Sequence, residues 1–265
     1  MSMSTEDVQP YVSYREEDAI AILTLNRPAR RNPITDPGMI DGLLAALARV
    51  NADRGVRAVV LTGAGSAFSA GGNVRRMAAD LDERARSPVR TPAYYIEGIQ
   101  RVPLAFQQLE VPVIAAVNGP AIGAGCDLTC MCDLRIASDR ASFAESFVKL
   151  GLVAGDGGAW LLQRAIGPAR ACEMAFTGDA IDAATALAIG LVSQVVPADD
   201  LLPAALRLAG RIAANPPDAV RMTKRLMLQA REQTLPAALE SARALQALAQ
   251  TTPEHRTAVM AFMSR

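Results

Sequence analysis

Two acids in glycine-rich surroundings are the residues of this 265-residue chain best placed for chemistry. The first, Asp127, ends the stretch VPVIAAVNGPAIGAGCD, in which a β-branched apolar run (Val113–Val117) meets a turn carrying Gly119, Gly123 and Gly125, and a helical pattern begins near residue 126. A strand, a glycine turn and a helix start leave backbone N–H groups without intrahelical acceptors, so such a junction can hold a negatively charged oxygen. A second run of small residues, 66–73 (SAFSAGGN), also opens a helical pattern. Two turns of this kind can each give one N–H to the same oxygen, which is the geometry of an oxyanion hole. The second acid, Asp156, lies in a third glycine turn, Ala154-Gly155-Asp156-Gly157-Gly158. Both acids also have plain structural readings, Asp127 as a capping residue and Asp156 as an ordinary turn residue; proximity of one to the other would decide between them. His255 is the sole histidine and has no partner set, so it reads as a surface residue of the terminal helix.

The elements that must position these acids follow from periodicity. Residues 11–14 and 19–25 read as an opening hairpin, 39–51 as a helix and 58–61 as a buried strand. Residues 81–91, charged and broken by proline, read as a mobile surface segment that borders a cleft, and 94–109 as one helix feeding the strand at Val113. Residues 134–137 and 142–144 are short strands, 159–166 a helix with the only tryptophan, Trp160, and 171–176, 183–189 and 192–196 a helix, a helix and a strand. The last quarter is helical throughout, in patterns over 201–214, 219–233, 235–251 and 253–265. Residues 26–33, with two prolines and three arginines, form a basic loop that suits a local phosphate site or simple solvation.

Composition narrows the function classes. Hydrophobic residues make up 51% and charged residues 20%, as in a soluble globular protein rather than a disordered one. The 27 basic residues equal the 27 acidic ones, which argues against nucleic acid as a partner. The N-terminus has acids and no apolar core of a leader, and no apolar run is long enough to span a bilayer, so a cytoplasmic location is the expectation. Four cysteines, three at 126, 130 and 132, with no second CxxC and no histidine cluster, imply buried free thiols and no metal site.

Taken in order, several motifs resemble the crotonase family, the enoyl-CoA hydratase and isomerase superfamily, from about Tyr11 to the end. They are Asn26-Arg27-Pro28-x-x-x-Asn32, Phe68-Ser69-Ala70-Gly71-Gly72-Asn73, Asn118-Gly119-x-x-x-Gly123-Ala124-Gly125-Cys126-Asp127, Cys132-Asp133, Phe143, Gly151 through Gly158, and Ala188-Ile189-Gly190-Leu191-Val192. The resemblance implies an α/β fold, a spiral of ββα repeats over residues 1–200 followed by a helical oligomerisation region over 201–265. It implies acyl-CoA thioester substrates, no cofactor beyond the coenzyme A of the substrate, and a homotrimer or a dimer of trimers; apolar stripes in the helices beyond residue 219 suit such assembly. Position by position, it implies Gly72 and Ala124 as the oxyanion N–H donors. It puts the adenine of CoA near Ala70 and the phosphates near Arg27, Arg30, Arg31 and Arg75, and it makes Met77, Phe143, Phe147, Val153 and Trp160 candidates for the acyl pocket.

The chain departs from the family at the acids. The hydratases use two glutamates around one water; here the first position is Asp127, one methylene shorter, and the second falls on Phe147, which transfers no proton. Glu145, two residues earlier, would point to the same face of a strand as Phe147 but displaced along it, and Asp156 is the more attractive substitute. Hydration by Asp127 with Asp156, double-bond migration by a single acid, and acyl-CoA binding without turnover all stay open, as does thioester hydrolysis. A dinucleotide dehydrogenase is disfavoured by glycine spacing, and a serine hydrolase by the lack of GxSxG.

Overall fold

A computed structural model describes residues 9–264; the first eight residues and Arg265, which close the two expected units, lie outside the described residues. The strands are β1 (Val12–Glu17), β2 (Ile20–Leu25), β3 (Ala58–Gly63), β4 (Val113–Val117), β5 (Ala121–Ile122), β6 (Leu134–Ser138), β7 (Ser142–Ala144), β8 (Ala180–Asp182) and β9 (Gln194–Val196). The helices are α1 (Pro37–Ala52), α2 (Val74–Arg86), α3 (Thr91–Glu97), α4 (Arg101–Gln108), α5 (Ala124–Met131), α6 (Gly158–Ile166), α7 (Pro168–Thr177), α8 (Ala183–Ala188), α9 (Leu201–Ala213), α10 (Pro217–Ala230), α11 (Leu235–Gln250) and α12 (Pro253–Met263).

Six strands form one sheet in the order β1-β2-β3-β4-β6-β9, antiparallel only at β1, and β5, β7 and β8 form a second, smaller sheet. Successive passes of the chain give a strand to the large sheet, then one to the small sheet, then helix: β4-β5-α5 is one pass, and β6-β7 followed by α6 the next. β3 opens an earlier pass in which Ser69 alone reaches the small sheet, as a parallel bridge to Ala121. The result is a spiral whose passes lie in register.

Both faces of the large sheet are covered, which explains its unbroken apolar strands. Alternate residues go to opposite sides: Leu23, Leu25, Val59, Leu61, Val113 and Val117 join the main core, whereas Ile22, Val60, Ile114 and Ile136 pack under α9 with Leu201, Ala205 and Ala209. Small residues on α9 let the helix lie close to the sheet. α9, which the sequence reading assigns to the oligomerisation region, is therefore built into the core. α10 is fastened as well: buried Lys224 donates to Val111 O and Asp133, and buried Arg221 to Val56 O and Glu110.

Two expectations fail locally. Residues 81–91 are mostly helical, because α2 runs on to Arg86 and a single 3-10 turn, Pro88–Arg90, leads into α3. The single helix expected over 94–109 is two, divided at Gly98, where φ −108° and ψ −117° take the backbone out of the helical region that side-chain-bearing residues favour. β8 is absent from the sequence reading; at three residues it is too short for a period to register. The cysteines are all free, with 126, 130 and 132 buried and Cys172 exposed, and no described helix is long and apolar enough to cross a membrane.

Candidate active site

The bridge from Ser69 to Ala121 and the pairing of Ala121 with Phe143 align three successive passes. Three residues beyond Ser69 is Gly72, and three beyond Ala121 is Ala124; two beyond Phe143 is Glu145. The register of the small sheet thus brings the two glycine turns side by side and carries an acid past them.

Backbone bonds fix the turns against each other. Ile122 N donates to Ser69 O (3.0 Å), Ser69 N to Pro120 O (3.2 Å), and Gly123 N to Ala144 O (2.7 Å). Gly71 has φ +77°, and a Cβ there would overlap Ile122 O and lie 3.1 Å from Ala124 N, so only glycine permits this approach. Gly123 has φ +53° and sends the chain into α5. Among the described residues neither Gly72 N nor Ala124 N has a hydrogen-bond acceptor. Two asparagines of the sequence motifs brace the first turn from behind: buried Asn32 donates to Ala64 O, Ala67 O and Phe68 O, and Asn118 accepts from Gly63 N and donates to Gly65 O.

The acids converge. Asp127, Glu145 and Asp156 are 0%, 2% and 2% exposed, and both oxygens of Asp127, both of Asp156 and Oε1 of Glu145 have no donor from the protein. They lie close enough for the charges of Asp156 and Glu145 to act on Asp127. Like charges buried together disfavour ionisation, so such a cluster tends to keep a proton. Burial is the main cause that holds all three acids above their ordinary range; the charges of Asp156 and Glu145 push Asp127 up further, and Glu145 rises to about 7. An acid that titrates at about 7, beside two more acids raised by burial, suits proton transfer near neutral pH. Gly158, at the start of α6, is pressed against Asp127 so closely that a Cβ there would overlap the carboxylate. Among the described residues no set of three or more His, Cys, Asp or Glu side chains is arranged to hold a metal ion.

The outer candidates divide. Arg27 is only 4% exposed and is not a surface cation: its guanidinium donates to Gln9 O, Pro10 O and Asn26 O and stacks 3.5 Å from the Tyr11 ring centroid, so it ties down the N-terminal segment. A mixed basic loop gives no sequence signal that separates this buried arginine from Arg30 and Arg31, which are exposed, as is Arg75. The five proposed acyl-pocket residues do not line one cavity. Met77 lies over Gly72 and borders a cavity of about 500 Å³ beside α1, α2 and α3. Trp160, with Asp156, Leu161, Phe106, Met131 and Leu228, borders another of about 370 Å³. Phe147 covers Gly123, 3.6 Å from where a Cβ would be, whereas Phe143 is fully buried in the main core and reaches neither cavity, because its place on β7 turns it inward. Val153 is 81% exposed. Glu145, noted in the sequence only as a displaced acid, proves to be part of the cluster; it follows β7 directly and precedes the 3-10 turn Ser146–Leu150, so the strand face expected to relate it to Phe147 does not exist.

A spiral that combines buried, electrostatically coupled acids with two glycine turns whose Gly72 and Ala124 amides have no acceptor among the described residues suits a class of protein that moves a proton while an oxyanion develops. The family model for enoyl-CoA hydratase/isomerase matches residues 15–265, and the chain belongs to that family. A probable enoyl-CoA hydratase of Mycobacterium bovis is 36% identical over 94% of this chain and 93% of its own length. The solved enoyl-CoA hydratase from Bacillus anthracis superposes with TM-score 0.89 at 32% identity, over 96% of each chain. A monofunctional enoyl-CoA isomerase from M. smegmatis superposes with TM-score 0.73 at 37% identity, covering 87% of this chain and 99% of that one. The fold is crotonase-like and the protein is an enzyme of the hydratase/isomerase type acting on acyl-CoA.

Proposed function

We propose that Asp127 and Asp156 are the proton-transfer pair of this enzyme and that the amides of Gly72 and Ala124 hold the thioester oxygen. The observation that carries the reading is the burial of these two carboxyls close to one another with no donor from the protein, in a chain whose paired glycine turns leave two N–H groups without acceptors among the described residues. In hydration, the ionised member takes a proton from water as the water oxygen bonds to Cβ. Electrons of the double bond move to the thioester oxygen, where the two amides stabilise the enolate, each worth a few kcal/mol in a dry site. The neutral member then gives its proton to Cα, and the pair has exchanged roles. Proximity of the two carboxyls also suits a second reading, double-bond migration, in which one acid removes a proton and returns it at another carbon.

The CoA arm would run past Ala70 toward Arg30, Arg31 and Arg75, whose exposed guanidinium groups pair with no acid among the described residues and can bind phosphate. The acyl chain would enter the cavity bordered by Trp160, since that cavity reaches Asp156. Assembly into a homotrimer or a pair of trimers through the C-terminal helices is part of the same reading.

Incubation with 2-enoyl- and 3-enoyl-CoA in deuterated water distinguishes the two reactions. Hydration gives the 3-hydroxyacyl product with one deuterium at Cα, and migration gives the isomeric enoyl thioester. Asp127→Asn and Asp156→Asn should each lower kcat by about 10² to 10⁴-fold. Full turnover by both variants would sink the assignment of the pair.

A further inference from the structure

Asp156 depends on a loop with little support of its own. Residues 153–156 join the 3-10 turn Ser146–Leu150 to α6, Val153 and its neighbours are largely exposed, and Gly157 has φ +102°. Among the described residues a single hydrogen bond links 153–156 to the rest of the chain: Gln100 Nε2 donates to Gly155 O at 2.7 Å. Tyr95 completes the contact, with its ring against Gly155 where any Cβ would overlap it. Gln100 is itself well anchored. It precedes α4, whose Val102 and Phe106 are buried in the main core, and its own N–H donates to Tyr95 O at 3.0 Å.

We propose that Gln100, seconded by Tyr95, is a positioning residue for the reaction, fixing the peptide before Asp156 so that this acid meets Asp127 and the substrate. The inference rests on the reading of Asp156 as a proton-transfer group. An acid held by one bond on a glycine loop has freedom that the bond removes, and a displacement of about 1 Å at a reacting group can cost on the order of 10²-fold in rate. The glycine at 155 admits the tyrosine ring, and the amide of Gln100 has a donor that a hydrocarbon of similar size lacks.

The test uses the full-length protein, a 2-enoyl-CoA substrate, and the variants Gln100→Leu, Gln100→Glu and Asp156→Asn, each checked for folding by circular dichroism. Gln100→Leu should lower kcat about 10 to 100-fold with KM within a factor of about three. In Gln100→Glu the new carboxyl repels Gly155 O when ionised and donates to it when protonated. The ratio of its kcat to that of the parent should therefore rise as the pH is lowered, a recovery that loss of packing alone would not produce. Around position 100 the charged groups are Glu97 and Arg101 on the same corner, Asp156 on the loop, and Asp133, Arg231 and Glu232 across the cavity. All are present in the parent, so the ratio isolates the new carboxyl. Folded Gln100 variants with the parent's kcat, beside an inactive Asp156→Asn, would overturn this inference alone. An active Asp156→Asn would overturn the reading on which it rests.

Discussion

Asp127, Glu145 and Asp156 are three buried acids held above their ordinary range, and that arrangement has a thermodynamic signature. Glu145 has its carboxyl raised from 4.5 to about 7, chiefly by burial, so the folded state binds this proton more tightly than the unfolded one. Its contribution to stability is complete below about pH 4.5 and is lost as the pH rises through about 7. Over that window the shift is worth about 3 kcal/mol. Urea denaturation of the ligand-free protein should show stability declining from pH 5 to pH 8, and Glu145→Gln should flatten the decline. A parent protein whose stability rises across this range would exclude the raised carboxyl at Glu145. The residue types are legible in the sequence, where glycine surroundings single out Asp127 and Asp156. Their convergence, and the recruitment of Glu145, are not, because Asp127 and Asp156 are 29 positions apart and sequence spacing carries no distance across a turn of the spiral.

At the scale of elements, the short strands matter more than their length suggests. β5 and β7 have two and three residues, yet their register with Ser69 sets Gly72, Ala124 and Glu145 at one level. The apolar run of β4 and the helix α5 were readable from periodicity, whereas β8 and the break between α3 and α4 were not, since short strands leave no period and Gly98 acts through a local backbone choice. The motif Cys132-Asp133 acquires a structural meaning here. Asp133 accepts from Val113 N (2.8 Å) and from Lys224 Nζ (2.7 Å), joining the central strand to α10. Lys224→Ala should lower unfolding free energy by about 3 kcal/mol, because it strands a partly buried carboxylate. Replacing Asp133 and Lys224 together by leucine and methionine should restore much of that loss, as followed by urea midpoint; an unchanged midpoint in the single variant would show that α10 is held by packing instead.

For the whole molecule, the open question is what covers the C-terminal helices. α11 and α12 have no buried residue, and Leu235, Leu239, Leu248, Met260 and Phe262 are 58–77% exposed. Such a surface is larger than isolated apolar side chains would make, and balanced charges, 27 of each sign, leave no net repulsion to oppose association. Multi-angle light scattering should give the mass of three or six chains of 28.0 kDa at micromolar concentration. Phe262→Asp with Leu239→Asp should shift it toward one chain, and a monomeric parent would remove the basis for assembly through these helices.

The sequence by itself determined the alternation of strand and helix, the glycine turns and the chemical types at the site, because these depend on local periodicity and on conformations that only certain residues adopt. Tertiary structure decided which of those groups meet. It buried Arg27 against the N-terminal segment and Phe143 in the core, separated Met77 from Trp160 into two cavities, and drew Glu145 and Gln100 into the neighbourhood of Asp127 and Asp156. The physical reason is the register between successive passes of the spiral. It is fixed by backbone hydrogen bonds and glycine clearances that any one stretch of sequence leaves unspecified.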